Sequence, residues 1–150
     1  ACVDILTHLN KDAARVMKDF DVHGVTDITG FGLAGHALEM AKSSGALLQI
    51  DVGALPVMDE ALAMYKRGMS TGVNPFNRNL VKDYVRDEST LPPIHKEILY
   101  DPQTSGGLLV ALPKEQAAEL VRLLKQIKTP SAVVIGKVLE VSGTAGLVIR

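Results

Sequence analysis

An aspartate set between two threonines and running into spaced glycines, Thr26-Asp27-Ile28-Thr29-Gly30-Phe31-Gly32-Leu33-Ala34-Gly35-His36, is the stretch of this sequence best suited to chemistry. Backbone N–H groups where a turn enters a helix attract anions, and a neighbouring carboxylate can hold a cation that the same anion binds. Gly30, Gly32 and Gly35 formally satisfy G-x-G-x-x-G, and Asp51 closes a strand-like run ~20 residues on, as in a dinucleotide-binding turn. That fingerprint requires a clean buried strand before its first glycine, whereas Thr26, Asp27 and Thr29 stand there and bring a carboxylate towards the pyrophosphate. With Mg²⁺ between them the repulsion becomes attraction, so these residues favour a metal–phosphate site over a nicotinamide site. An alternative stays open, in which Asp27 and Thr29 only cap the following helix or bond turn amides. His36 lies off the apolar face of Leu33, Ala37 and Met40, which predicts a solvated or hydrogen-bonded histidine rather than a base.

A second polar stretch, Asp101-Pro102-Gln103-Thr104-Ser105-Gly106-Gly107, suits either a helix-to-strand connector or a close backbone approach to a ligand, with Gln103, Thr104 and Ser105 as hydrogen-bonding groups. Ser70 to Asn79, rich in Gly, Asn and Pro, reads as an irregular loop, either exposed or ligand-facing, in which Arg78 would suit a phosphate. Cys2 has no base or basic cluster near it in sequence and reads as a free structural thiol.

The elements that must position these groups follow from periodicity. Leu6, Leu9, Ala13, Met17 and Phe20 recur at helical spacing and predict one helix ending near Phe20, with Asn10 as a cap inside it or at its start. Val22 to Ile28 is extended, Gly32 to Ser44 is a helix stopped by Ser43-Ser44-Gly45, Ala46 to Ile50 is a strand, and Met58 to Arg67 is a helix. Leu80 to Val85 is a strand or a helical turn, and Pro92-Pro93 opens a short helix to about Leu99. Leu108 to Leu112 is a strand, and an amphipathic helix from Pro113 to Ile127 turns Ala117, Leu120, Val121 and Leu124 inward. Ala132 to Ile135 and Leu147 to Ile149 are the last strands. Helices interspersed with short strands predict a sheet packed against helices without strict alternation.

With 150 residues, 47% of them hydrophobic, the chain can bury one core, and no shift of composition marks a second. Its 16 basic and 17 acidic residues are mixed along the chain, so no basic face invites nucleic acid. No apolar run reaches the ~18 residues of a membrane helix. The single cysteine excludes an internal disulfide and, with no signal-peptide pattern, makes a cytoplasmic location the expectation. A first residue other than Met, followed at once by helical pattern, suggests a piece of something longer.

Taken together, the 26–36 stretch and Asp101-Pro102-Gln103-Thr104-Ser105-Gly106-Gly107-Leu108-Leu109 resemble the two signature stretches of the C-terminal domain of the selenophosphate synthetase (selenide, water dikinase) family, in the right order. The resemblance runs from Leu9-Asn10 to Ile135-Gly136-Lys137-Val138 and covers the later half of the family's length. It implies a fold of the aminoimidazole-ribonucleotide synthetase type: an α/β (α+β) domain, layered α/β/α, with a mixed sheet and a partly ferredoxin-like arrangement. It also implies that the full-length enzyme converts ATP, selenide and water to selenophosphate, AMP and phosphate, using Mg²⁺ and a potassium-type monovalent ion, as a homodimer. The family's glycine-rich loop, reactive cysteine or selenocysteine and catalytic lysine belong to an N-terminal domain absent from this chain, which leaves residues 1–150 as a single domain, inactive alone. Asp27 matches the family's aspartate in Thr-Asp-x-Thr-Gly-Phe-Gly and is implied to bind Mg²⁺ that bridges to ATP phosphates. Thr29, Gly30 and Gly32 are implied to shape the cofactor cleft. The 71–79 loop departs from the family's Gly-Gly-Thr type and keeps only its closing asparagine, Asn79. The alternatives are another substrate in the same superfamily, as in thiamine-phosphate kinases, purine-pathway synthetases or hydrogenase-maturation proteins, and a non-catalytic nucleotide-binding or dimerisation module.

Overall fold

The computed structural model describes residues 2–129, 131–140 and 143–150; the side chains of residues 2 and 59 lie outside that description, and the free thiol expected at Cys2 with them. The first predicted helix is broken in two. Helix α1 spans Cys2–Thr7 and α2 spans Lys11–Val16, followed by a tight 3₁₀ turn at Met17–Asp19. Asn10 makes no cap bond to α2; its Nδ2 donates instead to the carbonyl of Gly106 at 3.1 Å, a long-range tie that the periodicity of residues 6–20 does not carry.

Strand β1 (Gly24–Asp27) leads into α3 (Gly32–Ser44), which has the bounds its Leu, Ala and Met spacing predicts, and then into β2 (Leu47–Ile50). Helix α4 covers Asp59–Lys66. The irregular loop expected through Asn79 is overturned: Asn74–Val81 is a helix, α5, with Pro75 in its first turn, where a missing N–H costs nothing. Its buried residues are Asn74, Asn77 and Val81, spaced i, i+3 and i+7, so an inward stripe that is two-thirds polar holds the helix in place. The undecided segment 80–85 is therefore the end of α5 and a 3₁₀ turn at Lys82–Tyr84, after which β3 runs over Val85–Asp87.

Helix α6 (Pro93–Lys96) and the 3₁₀ turn Glu97–Tyr100 precede β4 (Leu108–Ala111), and α7 covers Lys114–Gln126 with Leu120 buried. The predicted strand at Ala132–Ile135 is shifted: β5 is Gly136–Leu139, because pairing with β2 places Gly136 opposite Ile50, while Val133 and Val134 stay exposed. Strand β6 is Gly146–Ile149.

Two sheets result. A four-stranded sheet has the order β3-β6-β2-β5, parallel at β3–β6 and β6–β2 and antiparallel at β2–β5; a separate two-stranded ribbon pairs β1 with β4 antiparallel. The small residues Ala34, Ala37 and Ala41 let α3 lie close over Leu48, Ile50, Leu147 and Ile149, and Leu38, Val52, Val81 and Leu99 complete this core. All four residues of β6 are buried; since successive side chains alternate sides, both faces of that central strand are covered. Among the described residues no helix is long and apolar enough to cross a membrane.

Candidate functional site

The two motif stretches lie side by side. In the β1–β4 ribbon Asp27 stands opposite Leu108, and the pairing continues past the strand ends: the Ile28 N–H donates to the Gly107 carbonyl (3.0 Å), the Gly106 N–H to the Ile28 carbonyl (3.0 Å), and the Gln103 N–H to the Thr29 carbonyl (3.0 Å). Residues 101–111 thus flank residues 24–29 along their whole length. The glycines of this seam answer to contact. A Cβ on Gly106 would sit 2.3 Å from the Ile28 carbonyl oxygen, and one on Gly32, whose φ is +69°, would sit 2.9 Å from the Leu99 oxygen. Gly32 therefore serves the packing of the α3 start against the 99–101 backbone, whereas a Cβ on Gly30 would meet nothing within 4 Å.

Asp27 ends β1 with its side chain on the exposed face. Among the described residues nothing pairs with its carboxylate, and α3 carries no side-chain cap, so neither Asp27 nor Thr29 fills the capping role that was open from the sequence. Thr29 turns its hydroxyl to His36, Oγ1 to Nε2 at 3.0 Å, while its carbonyl also accepts from the Gly32 N–H. The His36 side chain, expected to be solvated or hydrogen-bonded, is buried at 10% exposure, with Nδ1 3.2 Å from the Glu39 carboxylate and its ring tilted 41° against Phe31.

Asn77, wholly buried, donates from Nδ2 to the Gly30 carbonyl and to the Tyr100 carbonyl, both at 2.9 Å, and so fastens α5 to both stretches at once. Asn74, also wholly buried, donates to the Tyr65 hydroxyl and the Glu97 carbonyl and accepts from the Thr71 hydroxyl. Tyr65 in turn donates to Asp101 Oδ1 (2.5 Å), and Gln103 Nε2 donates to Oδ2 (2.7 Å). Burial, first, and the Asp101 carboxylate, second, push the Tyr65 hydroxyl well above its ordinary pKa, so it stays a donor. Asp101 and Gln103 are thereby committed to holding their own turn, while Thr104 is exposed. Arg78 pairs with Glu97 and lies 5.4 Å from the Tyr100 ring centre, so it is not left open for a phosphate. Asn79 is exposed on the outer side of α5.

Asp27, Thr29 and Gly30 thus share one turn beside the second stretch, Gly32 is the packing point beneath it, and Asn79 lies on a neighbouring helix. Tyr65 is a positioning residue that the sequence did not mark, and Asn74 and Asn77, read from sequence as part of an exposed or ligand-facing polar loop, are buried positioning residues instead; the signal was the helical spacing of Asn74, Asn77 and Val81 behind a proline. Among the described residues no three His, Cys, Asp or Glu side chains converge to hold a metal.

A model of the family described as AIR synthase related protein, C-terminal domain, matches residues 5–149. Selenide, water dikinase 2 of Peptoclostridium acidaminophilum is 44% identical over 92% of this chain and 40% of its own length, and the selenide, water dikinase of Clostridioides difficile is 42% identical over 91% of this chain and 39% of its own. The chain therefore spans about 40% of the length of these relatives. Among solved structures, hydrogenase maturation protein HypE aligns with a TM-score of 0.61 at 22% identity, over 90% of this chain and 37% of that one. Thiamine monophosphate kinase from Aquifex aeolicus aligns with a TM-score of 0.54 at 22% identity, over 93% and 35%. At that identity the two structures speak for the fold alone, and they bear out the mixed-sheet α/β architecture expected from the resemblance.

Proposed function

From the premise that this chain belongs to the AIR synthase related protein C-terminal domain family, we propose that it is the C-terminal half of a selenophosphate synthetase, with Asp27 as its contribution to a metal–ATP cleft. The observation that carries this reading is an exposed carboxylate with no protein partner, held at the end of β1 where the two motif stretches run together. A surface aspartate without a partner needs no special scaffold. This one has a buried scaffold of Asn77, Gly32 and the Gly106 contact around its turn.

The donor set fits Mg²⁺, a hard cation that takes carboxylate, phosphate and water oxygens and seldom builds an all-protein cage. When bound, Mg²⁺ would neutralise charge on the phosphates of ATP. The chain's own residues bind and position. Asp27 supplies a negative oxygen, Thr29 a hydroxyl two residues along the chain, and Gly30 an unobstructed backbone that a phosphate can approach closely. Gly32 fixes the angle at which α3 leaves the turn. Asn79, exposed on α5, is the outermost candidate for a nucleotide contact. Conversion of ATP, selenide and water to selenophosphate, AMP and phosphate belongs to the full-length enzyme, with the N-terminal domain supplying the remaining groups, a potassium-type ion, a homodimeric assembly and a cytoplasmic setting. Residues 1–150 form a single domain that is inactive alone. The names of relatives at 37–44% identity favour selenide over the substrates of the more distant structural neighbours.

The test is selenide-dependent AMP formation by the full-length protein and its Asp27→Ala variant. The expected outcome is loss of Mg²⁺-dependent ATP turnover by ~100-fold or more at unchanged thermal stability. Lost stability with retained turnover would return Asp27 to a structural role, and turnover that ignores selenide would move the protein to another substrate.

A further inference from the structure

Thr29 and His36 make a hydrogen bond whose direction is set from outside the pair. Glu39 follows His36 by three residues, one helical turn along α3, and its carboxylate, a pure acceptor, lies 3.2 Å from Nδ1. In the neutral ring that contact puts the proton on Nδ1 and leaves Nε2 as a bare acceptor. The Thr29 hydroxyl, 3.0 Å from Nε2, then spends its single proton on the histidine. Only lone pairs remain for any group outside the protein. A hydroxyl fixed this way cannot donate to a phosphate oxygen; it suits a cation or the water bound to one. Its main chain is equally constrained, since the Thr29 carbonyl accepts from both Gly32 and Gln103.

We propose that His36, oriented by Glu39, is a positioning residue that presents the Thr29 oxygen as an acceptor beside Asp27, so that the turn offers a divalent cation a carboxylate and a hydroxyl oxygen, the latter directly or through a metal-bound water. This rests on the metal–ATP reading above and deepens it. Burial strengthens the arrangement: the His36 side chain is only 10% exposed and Phe31 packs against its ring, so water competes poorly for Nε2. Partners in the outer shell of a metal site commonly account for 10- to 100-fold in affinity.

The experiment measures Mn²⁺ affinity of the full-length enzyme by electron paramagnetic resonance, in the presence of a non-hydrolysable ATP analogue. His36→Asn, which keeps a group near Nδ1 but none at Nε2, is expected to weaken Mn²⁺ binding by ~10-fold or more, and Thr29→Val to do the same. His36→Gln, whose side-chain oxygen reaches the Nε2 position, restores it. The double variant binds no more weakly than Thr29→Val alone, because both changes remove one interaction. Thermal midpoints of the histidine variants verify that they fold. Further weakening by His36→Asn in the Thr29→Val background overturns the proposal, as does wild-type Mn²⁺ affinity in His36→Asn when Asp27→Asn has lost it. Undiminished affinity in Asp27→Asn would overturn the underlying site and the proposal together. A nitrogen-15 spectrum showing the His36 proton on Nε2 also refutes it.

Discussion

Replacing Asn77 by alanine tests whether the candidate turn is held from α5. The Asn77 amide donates to the Gly30 and Tyr100 carbonyls at 2.9 Å each, within a side chain that has no exposure. Leaving a buried carbonyl without its donor costs about 1–3 kcal/mol, and the exposed Gly30 lets its own carbonyl turn partly to water, so the two losses give roughly 2–5 kcal/mol. Part of this returns, because Asn77 Oδ1 is buried without a partner and disappears with the substitution; the net is about 2–4 kcal/mol. For a chain of this size that lowers the thermal midpoint by roughly 5–15 °C. Asn77→Asp should be worse than Asn77→Ala, since a carboxylate would face two carbonyl oxygens with no proton to offer. Guanidinium unfolding followed by circular dichroism measures both. A loss under about 1 kcal/mol for Asn77→Ala, or an aspartate variant more stable than the alanine one, would refute the argument that α5 fastens both stretches.

Other expectations concern the seam and its surroundings. Gly106→Ala drives a Cβ into the Ile28 carbonyl and should destabilise the chain by ~2 kcal/mol or more in the same unfolding assay. Gly30→Ala meets open space and should leave the stability within ~0.5 kcal/mol, while the metal–ATP proposal expects weaker ATP binding by the full-length protein in a titration. The Lys96 ammonium, 2.5 Å from Asp87 Oδ2, holds that carboxyl below its ordinary value. Its stabilisation is therefore complete above the ordinary aspartate value of ~3.9 and is lost as pH falls through the lower folded value. With the Asp87 side chain 46% exposed, the effect is below about 1 kcal/mol; the stability gap between wild type and Asp87→Asn should close on acidification.

Local chemistry made part of this fold legible. Helix α3 is announced by Leu33, Ala37 and Met40 and stopped by Ser43-Ser44-Gly45, but its core face is turned from the one that spacing marks: Ala34, Ala37, Leu38 and Ala41 are buried, Leu33 and Met40 only partly so, and His36 is inside. Helix α5 was hidden because Asn-Pro-Phe-Asn-Arg-Asn has turn composition, and what makes it helical is tertiary: burial of Asn74 and Asn77 against carbonyls of distant turns. The break between α1 and α2 falls beside Asn10, whose side chain bonds the distant Gly106 carbonyl, a contact no local pattern announces. At the site, Asp27 could be picked from its neighbours in sequence, whereas its freedom from a capping role depends on α3 starting at Gly32 without side-chain help. The Tyr65–Asp101–Gln103 links join residues that no spacing rule connects.

The strand order β3-β6-β2-β5 has a kinetic consequence. Strands β2 and β3 precede β6 by many residues, yet they do not bond to each other and are joined only through β6, while β2 also pairs with β5. Until Gly146–Ile149 is in place, Leu48 and Ile50 of β2 lack their parallel neighbour and Val85–Asp87 has no ladder to join. Assembly of the core is thus deferred to contacts of long sequence separation, which fold slowly and leave edges open while they wait. On a ribosome this domain would hold its sheet unfinished until Gly146–Ile149 emerged, and a truncation just before Gly146 would leave the β2–β5 pair but cut β3 off from it, losing both parallel ladders rather than a single edge strand.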